Sequence, residues 1–178
     1  MANVSRLFFA LWPDDTTRQK LVRLCQSIQA KEFKWVLPQN LHVTLVFLGN
    51  IDTSAELLIK KSAAAISAEP FVVTFDRLTY WKKPKVLCLA SRQPPPSKLM
   101  ILVEALGLAV ENCGLQIDAR PYAPHITLAR HGNAWVDQDC EPVVWQANSF
   151  CLVESCSKAG GVFYKVIEQW PFEAGSLA

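Results

Sequence analysis

The chain has three histidines, and two of them open the same four-residue phrase: His42-Val43-Thr44-Leu45 and His125-Ile126-Thr127-Leu128. With 7 Thr and 21 Leu among 178 residues, chance produces such a pair with a probability on the order of 10⁻⁴, so the repeat is signal. Two imidazoles facing one small anion suit in-line displacement at phosphorus. The neutral one takes a proton from the nucleophile, and the protonated one gives a proton to the leaving oxygen. An unperturbed imidazole titrates near pH 6.5, so both forms exist around neutrality. The hydroxyls of Thr44 and Thr127 can donate to non-bridging phosphate oxygens and stabilise charge that builds there. Neither phrase supplies a carboxylate or thiolate ligand, so the chemistry is expected to run with no metal and no cofactor. The third histidine, His131, has no threonine two residues on and reads as a loop residue.

The elements around the phrases must bring them face to face. Each phrase lies in a strand-like run, residues 41–48 and residues 125–129. Alternate side chains of a strand share a face. His42 and Thr44 therefore point one way and Val43 and Leu45 the other, into a core. His125 and Thr127 are divided from Ile126 and Leu128 in the same manner.

Upstream of the first phrase, residues 6–12 (RLFFALW) read as a strand. Asp14 or Asp15 can cap a helix over residues 16–28, whose core stripe is Leu21, Leu24, Cys25 and Ile28. A short strand is expected over 33–36. A second helix is expected over 53–67, and strands over 71–75, 78–81 and 86–90, the last two as a hairpin across Lys82-Lys83-Pro84-Lys85. That basic turn reads first as a solvated loop and only second as an RNA contact. Pro94-Pro95-Pro96 is the sharpest break and the best candidate for a linker between lobes. Ser97 can cap a helix running to about Cys113, with Gly114 as its stop. Residues 115–119 lead to Arg120-Pro121-Tyr122-Ala123-Pro124, where two prolines fix the approach to the second phrase. Strands over 150–154 and 162–169, with Gly160-Gly161 between them, close the chain.

The order strand–helix–strands occurs twice, with one phrase in each half. This predicts an α+β fold of two pseudo-symmetric lobes, each an antiparallel sheet with helices outside, and a cleft between them where a twofold sets the His-x-Thr faces together. The whole chain, 1–178, is expected to form a single two-lobed domain. Its composition, 51% hydrophobic and 19% charged, is that of a globular protein. A net charge of +2 argues against tight, sequence-blind binding of long nucleic acid but not against a pocket for one phosphate. The six cysteines match no zinc spacing, and no signal-like or membrane-length apolar segment is evident. Free thiols in a cytoplasmic protein are the expectation. The six tryptophans read as core or cleft walls.

Three stretches carry a family resemblance: Arg6-Leu7-Phe8-Phe9-Ala10, the run from His42 to Gly49, and the run from Arg120 to Arg130. Together they resemble the 2H phosphoesterases, named for the repeated His-x-Thr/Ser-x motif, and most of all the bacterial RNA 2′,3′-cyclic phosphodiesterase branch, also called 2′–5′ RNA ligase-like. The resemblance spans nearly the whole chain. It implies a substrate, RNA or a nucleotide with a 2′,3′-cyclic phosphate end, opened to the 2′-phosphomonoester so that O3′ leaves. By the same resemblance His42 is the general acid and His125 the general base. Thr44 and Thr127 hold the phosphate, and Arg130 touches the phosphate or stacks on a base. Strict alternation puts Arg130 on the wrong face, so the strand must end or bulge before it. Phe8 or Phe9 is expected to stack on the nucleobase.

Three other functions compete. Ligation to 2′–5′ linkages is the same transesterification with a 5′-hydroxyl in place of water. An RNA-end binding module without turnover would not require two proton-transfer groups. A nucleotide-level enzyme would act on small cyclic phosphates. A monomer without membrane attachment is expected, because a two-lobed cleft needs no second chain.

Overall fold

A computed structural model describes residues 4–29, 31–118, 120–158 and 161–173. Its elements in chain order are β1 (Val4–Leu11), α1 (Asp15–Ser27), β2 (Lys34–Trp35), β3 (Val43–Asp52), α2 (Thr53–Ala64), β4 (Phe71–Trp81), β5 (Val86–Ala90), α3 (Ser97–Asn112), β6 (His125–Arg130), β7 (Gln138–Ala147), β8 (Ser149–Lys158) and β9 (Gly161–Pro171). A 3₁₀ turn, Pro38–Asn40, lies just before the first motif. The expected Ala119 end of the lead-in to the second motif, and Gly160 of the closing hairpin, fall outside the described residues.

The strands form one antiparallel path, β7-β4-β5-β6-β3-β1-β8-β9, with β2 added to β6. It divides at its middle into two four-stranded halves of matching order, β3-β1-β8-β9 and β6-β5-β4-β7. Within each half the ladders run over four to ten residue pairs. Between the halves a single pair meets, Val43 opposite Ile126. These are the second residues of the two motifs, so the pseudo-twofold passes between them. Two lobes meeting along one seam is the α+β arrangement the repeat implies.

Helices cover the back of the sheet. Asp14 caps α1 by accepting from the Thr17 amide at 2.7 Å. Leu21 is buried while Leu24, Cys25 and Ile28 lean on the same cluster, which is the predicted stripe. α1 packs on β7, whereas α3 packs on β3 and α2. Gly114, at φ +79°, follows the Cys113 cap and ends α3 in the left-handed conformation that glycine tolerates. The main core gathers Leu7, Phe9, Val43, Leu45, Ile126, Leu128 and their neighbours from both halves. A second, smaller cluster, Phe8, Ala10, Cys151 and Val153, lies on the opposite face. No helix among the described residues is long and apolar enough to cross a membrane.

Two expectations are corrected. Pro94-Pro95-Pro96 does not join the lobes: it leads from β5 into α3, and the chain returns to β6, the neighbour of β5 in the same half. Ser97 does not cap α3; it is the first helical residue and follows Pro96. One strand, β7, has no counterpart in the expectations. It is an edge strand carrying Asp139, Glu141 and Pro142, residues tolerated where one side of the backbone needs no partner.

The seam and the cap give a stability test. Ile126 is fully buried, so Ile126→Ala is expected to cost about 2–5 kcal/mol in urea unfolding. Asp14→Ala, which loses one cap, is expected to cost about 1 kcal/mol. An Ile126→Ala midpoint within error of wild type would contradict the placement of the seam.

Candidate active site

The one-pair seam sets the site. Because Val43 and Ile126 stand opposite each other and point into the core, the residues on either side of them share the other face. His42 and Thr44 come from one half and His125 and Thr127 from the other, all half-buried on that face.

The two imidazoles are held alike. Nδ1 of His42 lies 2.6 Å from the Asn40 carbonyl, and Nδ1 of His125 lies 2.8 Å from the Ala123 carbonyl, each two residues upstream. A carbonyl can only accept, so Nδ1 carries the proton in both rings and Nε2 is left for chemistry. Nε2 of His42 is 3.1 Å from the Thr44 hydroxyl. Pro38 and Pro121 each stand four residues before their histidine, although residues 38–40 form a 3₁₀ turn and residues 121–124 are a loop without one.

Each histidine is packed by aromatic rings. Trp12 stacks on His42 at 5.6 Å between centroids, while Phe8 and Tyr164 approach its other sides at 5.0 Å. Trp81 leans on His125 at 4.3 Å. Asn40 fixes the His42 support from a distance. Its amide donates to the Val162 carbonyl at 2.9 Å and accepts from the Tyr164 amide at 3.2 Å, which pins the turn to β9. Tyr122 ties the second approach to β3 by donating to the Thr44 carbonyl at 3.1 Å.

The bulge that Arg130 requires is present. Thr127 pairs with Cys88 and Ala129 with Leu87, which leaves Leu128 as the extra residue. Leu128 and Ala129 are both buried, and Arg130 emerges on the face of Thr127. β3 repeats the device: Thr44 pairs with Ala10 and Val46 with Phe9, with Leu45 extra, so Phe47 takes the place that Arg130 has in β6.

The expected base-stacking residues are corrected here. Phe9 is in the main core and Phe8 is buried beneath His42, so neither offers a free ring. Phe47, 44% exposed with the Arg6 guanidinium 5.0 Å from its centroid, is the open aromatic of this face. Its position by a bulge hides it from strict alternation. His131 is a loop residue with φ +63°.

The seam has two unlike ends. At one, β2 pairs with the far part of β6 and fills the gap beside His42. At the other, among the described residues no strand pairs with β3 beyond Val43 on the side away from β1. There a cavity of about 500 Å³ opens between β3, α3 and residues 117–118 and 120–123, lined by Thr44, Phe47, Trp81, Gly107, Tyr122 and His125.

Burial lowers the pKa of both histidines. His42 falls from 6.5 to about 4; the Asn40 carbonyl opposes this, and the positive charges of His125 and Arg130 add to it. His125 is lowered by burial and by Arg130, against the Ala123 carbonyl. Cys88, 4.0 Å from the Thr127 hydroxyl, is pushed up to about 11 by burial and stays a thiol.

Two Nε2 atoms and two hydroxyls on one face, beside an arginine, form the layout of a 2H phosphoesterase. The sequence and structural relatives agree. Residues 11–88 match the family described as LigT like Phosphoesterase. An Escherichia coli protein named RNA 2′,3′-cyclic phosphodiesterase is 28% identical over 173 residues, 96% of this chain and 98% of its own. One from Bacillus subtilis is 37% identical over 115 residues, 61% of this chain and 60% of its own. The crystal structure of E. coli LigT complexed with 3′-AMP superposes with a TM-score of 0.87 at 27% identity, covering 96% of this chain and 99% of that one. The chain is thus similar to the LigT-like phosphoesterases in sequence over residues 11–88 and in fold over 96% of its length.

The lowered pKa values fix a pH signature. Acid/base catalysis by two histidines requires one proton on the pair, and kcat/KM reports the free protein. Both groups lose their protons below the usual 6.5, so kcat/KM is expected to fall tenfold per pH unit above that value. An anion in the cleft favours the protonated ring, so the alkaline limb of kcat lies at higher pH. A kcat/KM flat to pH 8 would contradict the burial of these rings.

Proposed function

We propose that this chain opens 2′,3′-cyclic phosphates at RNA ends to 2′-phosphomonoesters by metal-independent two-histidine catalysis. The observation that supports this reading is the Val43–Ile126 seam, which sets His42 and His125 on one face with each Nδ1 held by a backbone carbonyl and each Nε2 left for chemistry. The names of the E. coli and B. subtilis relatives support the substrate class, as does 3′-AMP in the E. coli structure.

In this mechanism the phosphate lies between the rings, with Thr44 and Thr127 donating to its non-bridging oxygens. His125, which lines the open cavity, meets water there. Its Nε2 takes a proton as the water oxygen bonds to phosphorus. The P–O3′ bond breaks in line, and Nε2–H of His42 gives its proton to O3′. Depth suits His42 to the acid role: burial weakens its hold on the proton once the anion has brought it there. Arg130 contributes positive charge beside the phosphate. One chain carries every group, so a monomer of the whole 1–178 domain suffices. The free thiols of Cys25, Cys88, Cys113, Cys140 and Cys151 fit a reducing compartment, the cytoplasm.

The test is product identity. A 2′,3′-cyclic nucleotide turned over with EDTA present is followed by phosphorus NMR, for wild type, His42→Ala and His125→Ala. The reading expects a 2′-phosphate, with each substitution lowering kcat about 10²- to 10⁴-fold. Turnover indifferent to both substitutions would overturn it. A 3′-phosphate would overturn the assignment of O3′ as leaving group.

A further inference from the structure

The chain carries only +2 net charge, yet its strand register concentrates cations at one end of the seam. Lys34 of β2 stands directly opposite Arg130 of β6. On the other side of β6, Arg130 is opposite Val86, and Val86 is opposite Trp81. These four strands are successive neighbours, so the row spans about 14 Å. The hairpin Lys82-Lys83-Pro84-Lys85 closes at that row, and the Lys85 carbonyl accepts from the His131 amide at 2.9 Å, which joins the hairpin to the end of β6.

Three separate stretches of sequence thus deliver Lys34, Lys82, Lys83, Lys85 and Arg130 to one place. All five are exposed. The ion pairs among the described residues use Lys60, Arg77, Arg92, Lys98 and Arg120 and none of these five. Asp137, which also reaches β4, is engaged by Thr79, the Tyr80 amide and Arg77. The opposite end of the seam has the contrary sign: Glu104, Glu111 and Asp118 line the cavity there, against Arg120, which is paired with Asp118, and Arg6, which lies over Phe47. A phosphodiester chain is attracted at one end and repelled at the other.

We propose that Lys34, Arg130 and the Lys82–Lys85 hairpin form a track for the backbone phosphates of the RNA strand 5′ of the cyclic end, so that this chain favours oligonucleotides over mononucleotides. The proposal rests on the reading of the site as a cyclic phosphodiesterase. It agrees with O3′ leaving on the His42 side, since β2 and Arg130 flank His42 and the open cavity flanks His125. A solvated turn, the ordinary meaning of such a lysine run, gives no reason for the register to set Lys34 against Arg130.

The experiment compares kcat/KM for a 2′,3′-cyclic mononucleotide with that for a short RNA ending in a 2′,3′-cyclic phosphate, at 50 and 200 mM salt. Wild type is run beside Lys82→Ala/Lys83→Ala/Lys85→Ala, alone and with Lys34→Ala, and beside the triple Lys→Arg variant. The track predicts that the oligonucleotide-to-mononucleotide ratio falls about tenfold or more in the alanine variants. It also predicts that the salt slope for the oligonucleotide shrinks by about 0.7 per lost contact, and that the arginine variant keeps both. An unchanged ratio and slope would overturn the track, as would equal loss on both substrates. If wild type turns over neither substrate, it is the phosphodiesterase reading that fails.

Discussion

One residue pair, Val43 opposite Ile126, is all that joins the two halves of the sheet, and the site exists because that joint is so short. A longer ladder would bring a full row of β3 and β6 side chains together and leave no cleft. With a single pair on the pseudo-twofold, the buried second residues of the motifs anchor the seam while the first and third face outward as two matched sets. The same joint leaves two gaps where the strands part. β2 fills one, and the other remains as the cavity beside His125. The symmetry is thus broken by the fillers and not by the motifs, and this gives different surroundings to two His-x-Thr-Leu phrases that differ only at their second residue.

Burial then decides the chemistry. Each imidazole is locked through Nδ1 to a carbonyl two residues back, which fixes the tautomer and aims Nε2 into the cleft. The aromatic packing that holds the rings also strips them of water, so both are neutral at pH 7 in the free protein. In the proposed mechanism the proton for the leaving oxygen comes with the anion, because a bound phosphate offsets the burial and the repulsion from Arg130. The site is therefore poised to be reactive only when it is occupied by its own substrate charge.

Much of this was legible in sequence because it depends on local pattern. The His-x-Thr phrases declare their own faces by alternation, and Arg130 declared a bulge because no regular strand could turn it toward Thr127. Asp14 was one of two candidate caps for α1. What could not be read comes from long-range pairing. Asn40, whose carbonyl holds His42, is itself pinned by its side chain to β9, more than 120 residues away. Phe47 reaches the active face through a second bulge, at Leu45, which strict alternation hides, while Phe8 and Phe9, the aromatics expected to stack on a base, are buried by the packing. The three prolines at 94–96 mark a real break, but sequence cannot show that β5 and β6 on either side of it are neighbours in one half. Strand β7 was missed because Asp139, Glu141 and Pro142 belong to an edge, where propensity speaks weakly.

The central claim is that both Nε2 atoms address one phosphate, and imidazole nitrogen NMR tests it directly. Protein labelled with ¹⁵N at histidine would be titrated with 2′-AMP near pH 6. The account predicts that two of the three histidines respond, that both respond through Nε2 while Nδ1 stays protonated, and that the pair gains a proton on binding. His131 should not move. A response from one histidine alone, or one that moves Nδ1, would contradict it.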